Sequence, residues 1–161
     1  MPSTYQIIAT TTLSSNAATV TLSSIPGTYT DLILVGDSTS DALGAVYVYF
    51  NGVTGTTNYS ATILSGNGST ASSFRSTDTD QTLCSVVDTT RSSFVANIMN
   101  YSNTSVFKTL LTRGGVVTFA ARAFLGLWRS TAAVTSISVF NGGGVFVTGS
   151  SFTLYGIKAA A

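Results

Sequence analysis

Val116-Val117-Thr118-Phe119-Ala120-Ala121-Arg122-Ala123-Phe124-Leu125-Gly126-Leu127-Trp128 is the longest apolar stretch of the chain, and its reading decides the fold. It is too short to span a bilayer and is broken by Arg122, so it reads as β-structure inside a folded domain. Side chains alternate across a strand. Val117, Phe119, Ala121, Ala123, Leu125 and Leu127 would therefore share one face, with Thr118, Arg122 and Trp128 on the other. The arginine marks the second face as solvent-facing, so the first is predicted to be core. Its two alanines ask for bulky residues opposite, for which Tyr47, Tyr49, Phe94 and Phe107 are candidates.

The same period of two recurs along the chain, and no segment sustains a 3.6-residue period. Ser and Thr make up about a third of the residues, interleaved with Val, Ile, Leu, Phe and Tyr. Strands are predicted at Tyr5 to Thr12, Ala18 to Leu22, Asp31 to Val35, Ala45 to Phe50, Tyr59 to Leu64, Gln81 to Val87, Ser93 to Asn100, Ser105 to Thr112, Val116 to Trp128, Val134 to Phe140, Val145 to Thr148 and Ser151 to Ile157. Between them, Asn51-Gly52, Gly66-Asn67-Gly68, Gly114-Gly115, Asn141-Gly142-Gly143-Gly144 and Gly149-Ser150 offer the positive φ values of tight turns, and Pro26-Gly27 closes another. Ala9 to Ser15 is echoed by Ala18 to Ser24, which suggests an early hairpin.

A dozen short strands without covering helices predict an all-β fold. Specifically, residues 1–161 would form a single antiparallel β-sandwich of jelly-roll type, with an extended N-terminal segment 1–12 and a long polar loop 69–80. Size scaling lets such a chain bury about two thirds of its unfolded surface, enough for a proper core.

Composition narrows the chemistry. Only 8% of residues are charged, net charge is +1, and there is no histidine. All six acids are aspartates, so glutamate is missing as well, and the usual proton-transfer side chains are scarce. A Ser or Cys nucleophile lacks its usual base, and neither Lys108 nor Lys158 lies in a recognisable S-x-x-K motif. Asp37/Asp41 and Asp78/Asp80 could pair as glycosidase carboxylates, and Asp78 with Asp80 could contribute to a calcium site. In Ser/Thr-rich turns the favoured reading is that they serve as Asx-turn acceptors. Lone Cys84, in Leu83-Cys84-Ser85-Val86-Val87, has no partner for a disulfide or a cysteine zinc site and reads as buried filler. The expectation is no enzyme, no metal and no cofactor.

A nearly neutral chain lacks the clustered Lys and Arg that phosphate backbones require, which argues against nucleic acid as a partner. Residues 1–13 have neither the basic nor the apolar region of a signal peptide, so the chain is expected to be soluble where it is made, with no membrane partner. The N-x-[ST] sequons at Asn58, Asn67, Asn100 and Asn103 are about what a chain so rich in Ser and Thr produces by chance. A hydroxyl-rich surface is cheaper to desolvate than a charged one, which suits a subunit of an assembly. Trp128, Arg129 and Arg122 are the candidate interface residues, because tryptophan and arginine dominate contact energetics. Trp128 at a sheet edge or in the core is the plainer alternative.

Three stretches carry a resemblance: Tyr5-Gln6-Ile7-Ile8-Ala9-Thr10-Thr11-Thr12-Leu13, Ile25-Pro26-Gly27-Thr28-Tyr29-Thr30-Asp31-Leu32, and the ending from Leu127-Trp128-Arg129-Ser130 through Ser151-Phe152-Thr153-Leu154-Tyr155-Gly156-Ile157. The chain resembles the Ser/Thr/Gly-rich structural virion proteins of tailed bacteriophages, cyanophage-like members included, over nearly its whole length. That resemblance implies a decoration or cement protein: a jelly-roll homotrimer on the capsid exterior, made in the host cytoplasm, that bridges major capsid proteins. A tail-fibre or baseplate module that binds host glycan through Trp128 and tyrosines is the alternative it implies. It assigns no functional residue.

Overall fold

A computed structural model describes residues 4–116 and 120–158. Twelve strands form two antiparallel sheets. The larger runs β1 (Tyr5–Thr12), β12 (Ser151–Ile157), β3 (Asp31–Ser38), β8 (Ser92–Met99), β9 (Lys108–Val116), β10 (Ala120–Trp128), β5 (Tyr59–Gly66), β6 (Ala71–Thr79). The smaller runs β2 (Thr19–Leu22), β11 (Ile137–Asn141), β4 (Gly44–Phe50), β7 (Thr82–Val87).

The strand order is that of a jelly roll with two insertions. With β5, β6, β9 and β10 set aside, eight strands remain, and β1 pairs β12, β2 pairs β11, β3 pairs β8, and β4 pairs β7. First pairs with last and fourth with fifth, as in one long antiparallel hairpin, and alternate pairs fall in opposite sheets. The insertions are hairpins. β5–β6 leaves between β4 and β7, β9–β10 leaves between β8 and β11, and the two zip together through β10 and β5, so the larger sheet gains four strands.

This order explains why the repeated Ala9–Ser15 and Ala18–Ser24 segments do not make a hairpin. β1 and β2 belong to different sheets and pair with β12 and β11. The residues between them cross from one layer to the other, with Leu13 held by Ser150 and Ala17 by Phe146.

The main core lies between the sheets, where Leu32, Leu34, Ile98, Phe152 and Leu154 of the larger sheet meet Val20, Val46, Val48, Ile137 and Val139 of the smaller. Tyr59, Phe50 and Trp128 form its aromatic centre, with Trp128 5.4 Å from Phe50 and 6.3 Å from Tyr59 between ring centroids. A second, smaller cluster of Ala61, Ile63 and Phe124, with Leu83 of β7 against it, holds the inserted strands to the smaller sheet.

Three expectations are corrected. In β10 the buried residues are Ala120, Phe124, Gly126 and Trp128, while Leu125 is 51% exposed, so the core face is the opposite of the one the arginine indicated. Both faces of this strand are apolar, so alternation alone cannot choose. Burying the larger rings of Trp128 and Phe124 removes more apolar area from water than burying leucine and alanine. Val117, Thr118 and Phe119 lie outside the described residues. Of the bulky candidates, Phe94 is buried in the core, while Phe107 is 50% exposed.

The polar segment 69–80 is a strand over most of its length, β6, paired with β5 from Gly66↔Ala71 to Tyr59↔Thr79. It alternates poorly because it is an edge with little core to cover, and polar edges are how sheets avoid further pairing. Gly114-Gly115 is likewise within β9 rather than at a turn: a side chain at 114 would meet the Phe94 Cβ at 2.8 Å. Positive φ values are found at Asn51 (55°), Gly52 (68°), Gly68 (88°) and Gly149 (87°), in predicted turns, and also at Ser24 (58°) and at Asn100 (56°), which was predicted to end a strand.

Candidate interaction surface

Trp128 does not reach the surface. It is 1% exposed, and its indole nitrogen has no hydrogen-bond partner, as suits a ring held by packing alone. Arg129 turns back on its own chain, donating from Nη1 to the carbonyls of Thr57 (2.8 Å) and Tyr59 (3.2 Å). Arg122 lies opposite Gly114 and Ser65 in the register and donates from Nε to Ser65 Oγ at 3.2 Å. The three residues therefore do not assemble into one exposed platform.

Asp31, Asp37 and Asp41 are similarly dispersed, while the side chain of Asp78, and with it the Asp78/Asp80 pairing, lies outside the described residues. Asp37 takes a two-pronged contact from Arg91, at 2.8 and 2.9 Å, on the surface, which raises the arginine's already high pKa. Asp41 Oδ1 accepts from the Val145 amide at 2.8 Å, and Asp31 Oδ1 from the Asn100 amide at 2.9 Å. These are the turn and loop contacts that short acids make with the backbone. Among the described residues no three His, Cys, Asp or Glu side chains gather as a metal would need. Asn67 and Asn103, two of the sequon asparagines, accept from amides two residues ahead at 3.0 and 2.7 Å.

Lys108 is buried. Its Nζ donates to the carbonyls of Asn103 (2.5 Å), Val106 (2.7 Å) and Thr131 (3.1 Å), and burial pushes its pKa down. The ammonium clamps two loops rather than facing a serine. Cys84 is fully buried, with Sγ 3.6 Å from Thr112 Oγ1, and burial pushes its thiol up to about 12. Tyr59 is raised to about 12 for the same reason, its hydroxyl donating to Val53 O while accepting from the Phe50 amide.

What the sheet does present is its outward face. Strand pairing aligns one row across all eight strands: Ile7, Tyr155, Ile33, Asn97, Leu111, Leu125, Thr62, Arg75. The adjacent row begins at Thr10 and Thr153 and continues through Val35, Val95, Arg113, Ala123, Leu64 and Ser73. Ile7 (61%), Leu64 (59%), Leu125 (51%) and Leu111 (44%) are substantially exposed there. A groove of about 1000 Å³ is lined by residues of β5, β6, β8, β9 and β10, among them Leu64, Val95, Arg113 and Ala121 of this face.

An antiparallel sheet with one face in water ordinarily alternates apolar with polar. Here Leu32-Ile33-Leu34-Val35, Phe94-Val95-Ala96 and Phe124-Leu125-Gly126-Leu127 are apolar on both faces, a pattern belonging to sheets covered twice. Those runs were the sequence signal for an outward contact surface, and Trp128 was not. No protein-family model and no curated protein matches the chain.

Proposed function

We propose that the protein is a non-enzymatic structural subunit of a phage particle: a decoration, or cement, protein that sits on the capsid exterior as a homo-oligomer and stabilises the shell of major capsid protein. The observation that carries this reading is the apolar outward face of the eight-stranded sheet, since an exposed apolar surface of that extent marks a contact with protein. The dispersed Asp31, Asp37 and Asp41 and the clamped Lys108 agree with it, because the described side chains bring surfaces together rather than reactive groups. Jelly rolls build viral shells as well as lectins, so the fold agrees with the reading without selecting it. The glycan-binding alternative leaned on Trp128 as a stacking platform, and that ring is in the core.

A cement protein acts by adding contacts between capsomers that offset the pressure of packaged DNA, and permanent attachment calls for at least ~1,000 Å² of interface. Purified protein mixed with undecorated phage capsids and sedimented is expected to pellet with them up to a fixed stoichiometry. Protein that stays in the supernatant at every concentration, with intact capsids in the pellet, would overturn the reading.

A further inference from the structure

We propose that the outward face of the eight-stranded sheet packs against the same face of a second copy of this chain, about a two-fold axis running roughly along the strands. The inference deepens the homo-oligomer part of the reading above and does not depend on the capsid part.

Size is the first argument. Eight strands ~4.8 Å apart and about seven residues long at ~3.3 Å each make a face of roughly 34 by 23 Å, or roughly 800 Å². A stable protein interface takes about 800 Å² from each partner, so this face alone supplies one side of a standard interface. Its rows consist of Ile, Leu, Val, Ala and Thr with few charges, the composition of a homodimer interface more than of a transient one. Two twisted sheets that meet face to face pack about 10 Å apart with strands near 30° to one another, which an unbroken sheet face permits.

Charge is the second argument, and it favours a second copy over an unrelated partner. The half of the face built by β9, β10, β5 and β6 carries Arg113 and Arg75 in its two rows. On the other half, β3 carries Asp31 and Asp37 at the ends of its outward-facing series, with Arg91 against Asp37. The half towards β6 is thus cationic, and the β3 half is the more acidic of the two, with Arg91 offsetting Asp37 and Asp31 remaining. A two-fold axis along the strands lays the β6 half of one copy over the β1 half of the other, which sets β9 with Arg113 over β8 of the second copy, one strand from the Asp31 and Asp37 of its β3. A flat face that meets itself makes an isologous contact. The assembly is therefore even-numbered, in contrast to the trimer that the resemblance implies.

Leu125 lies midway along β10, well inside the edges of this face, and is exposed in the single chain, so Leu125→Lys leaves the core untouched, as surface substitutions generally do. The test measures the mass of the full chain by light scattering across a concentration series, with unfolding midpoints as the check on folding. Wild type is expected at twice the chain mass, and Leu125→Lys at the single mass, with the dimer's dissociation constant raised by at least ~100-fold, since a buried lysine without a partner costs several kcal/mol. Leu111→Thr, a milder variant of the same row, is expected to weaken the dimer with an unchanged midpoint. Thr19→Lys, on the exposed side of the smaller sheet, is expected to stay dimeric.

A single-chain mass for wild type, a three-chain mass, a Leu125→Lys variant that remains dimeric, or a Thr19→Lys variant that dissociates would each overturn the proposal. A stable dimer that fails to pellet with capsids would leave this inference standing and overturn only the capsid reading. Monomeric wild type that loses capsid binding on Leu125→Lys would instead give the face to the shell.

Discussion

Trp128→Ala is expected to destabilise the protein by ~3–5 kcal/mol, the range for removing a large aromatic ring from a packed core. For a chain of this size that lowers the unfolding midpoint by about 10 °C or more, measurable by calorimetry. The effect is large because Trp128 lies between Phe50 and Tyr59 at the place where β10, an inserted strand, reaches the main core. Losing it opens a cavity between two structural units, the jelly roll and its insertion. Trp128→Phe is expected to cost much less, since the indole nitrogen gives up no hydrogen bond. A loss below about 1 kcal/mol for the alanine variant would mean that the ring is not in the core.

Lys108→Ala is expected to cost ~2–3 kcal/mol, for a different reason, since hydrogen bonds from a charged donor contribute about that much. Three carbonyls, from the exposed residues Asn103, Val106 and Thr131, converge on one ammonium, and removing it leaves them to water and unties the two loops it joins. Lys108→Met restores most of the volume but none of the donors, so comparing the two variants separates packing from the clamp. Methionine is expected to recover less than half of the loss, as read from urea unfolding midpoints. Lys108 also stands directly opposite Trp128 in the β9–β10 register. Neighbours of this kind are coupled, and the double variant should lose less than the two single losses added together.

The strands themselves were legible in the sequence where one face is core and the other is wet. β2, with Val20 and Leu22 buried between exposed threonines, and β12, with Phe152 and Leu154 buried, follow the period-two pattern directly. The sandwich class followed from their number and spacing. Which strands pair was not legible for the outer pairs of the jelly roll, because these join residues more than a hundred positions apart, as Tyr5 with Ile157 and Ile137 with Leu22, and local pattern carries no such information.

The failures have a common physical cause. In β10 the exposed face is apolar as well as the buried one, so hydrophobicity no longer reports the inside, and Arg122 is on the core-facing side. It is accommodated on the inner face beside Gly114 and Ser65, where small neighbours leave room. In β6 the reverse holds: an edge strand without a core to cover lost the pattern that would have revealed it. Of the three interface candidates, Trp128 is the core residue that the plainer reading described. The outward face was present in the sequence as runs apolar at consecutive positions, and became readable only once register aligned Ile33, Leu111 and Leu125.

The central claim is that the even-numbered residues of β10 form the core and the odd-numbered ones are left for a partner. The chain has a single tryptophan, so its fluorescence reports on that claim without ambiguity. The measurement is emission and acrylamide quenching of Trp128 in the Leu125→Lys variant, chosen so that no second copy shields the ring. A blue-shifted emission protected from quencher, moving to the red only when the chain unfolds, is the result the account predicts. A red, freely quenched emission from the folded single chain would contradict it, by placing Trp128 on the outside and Leu125 within.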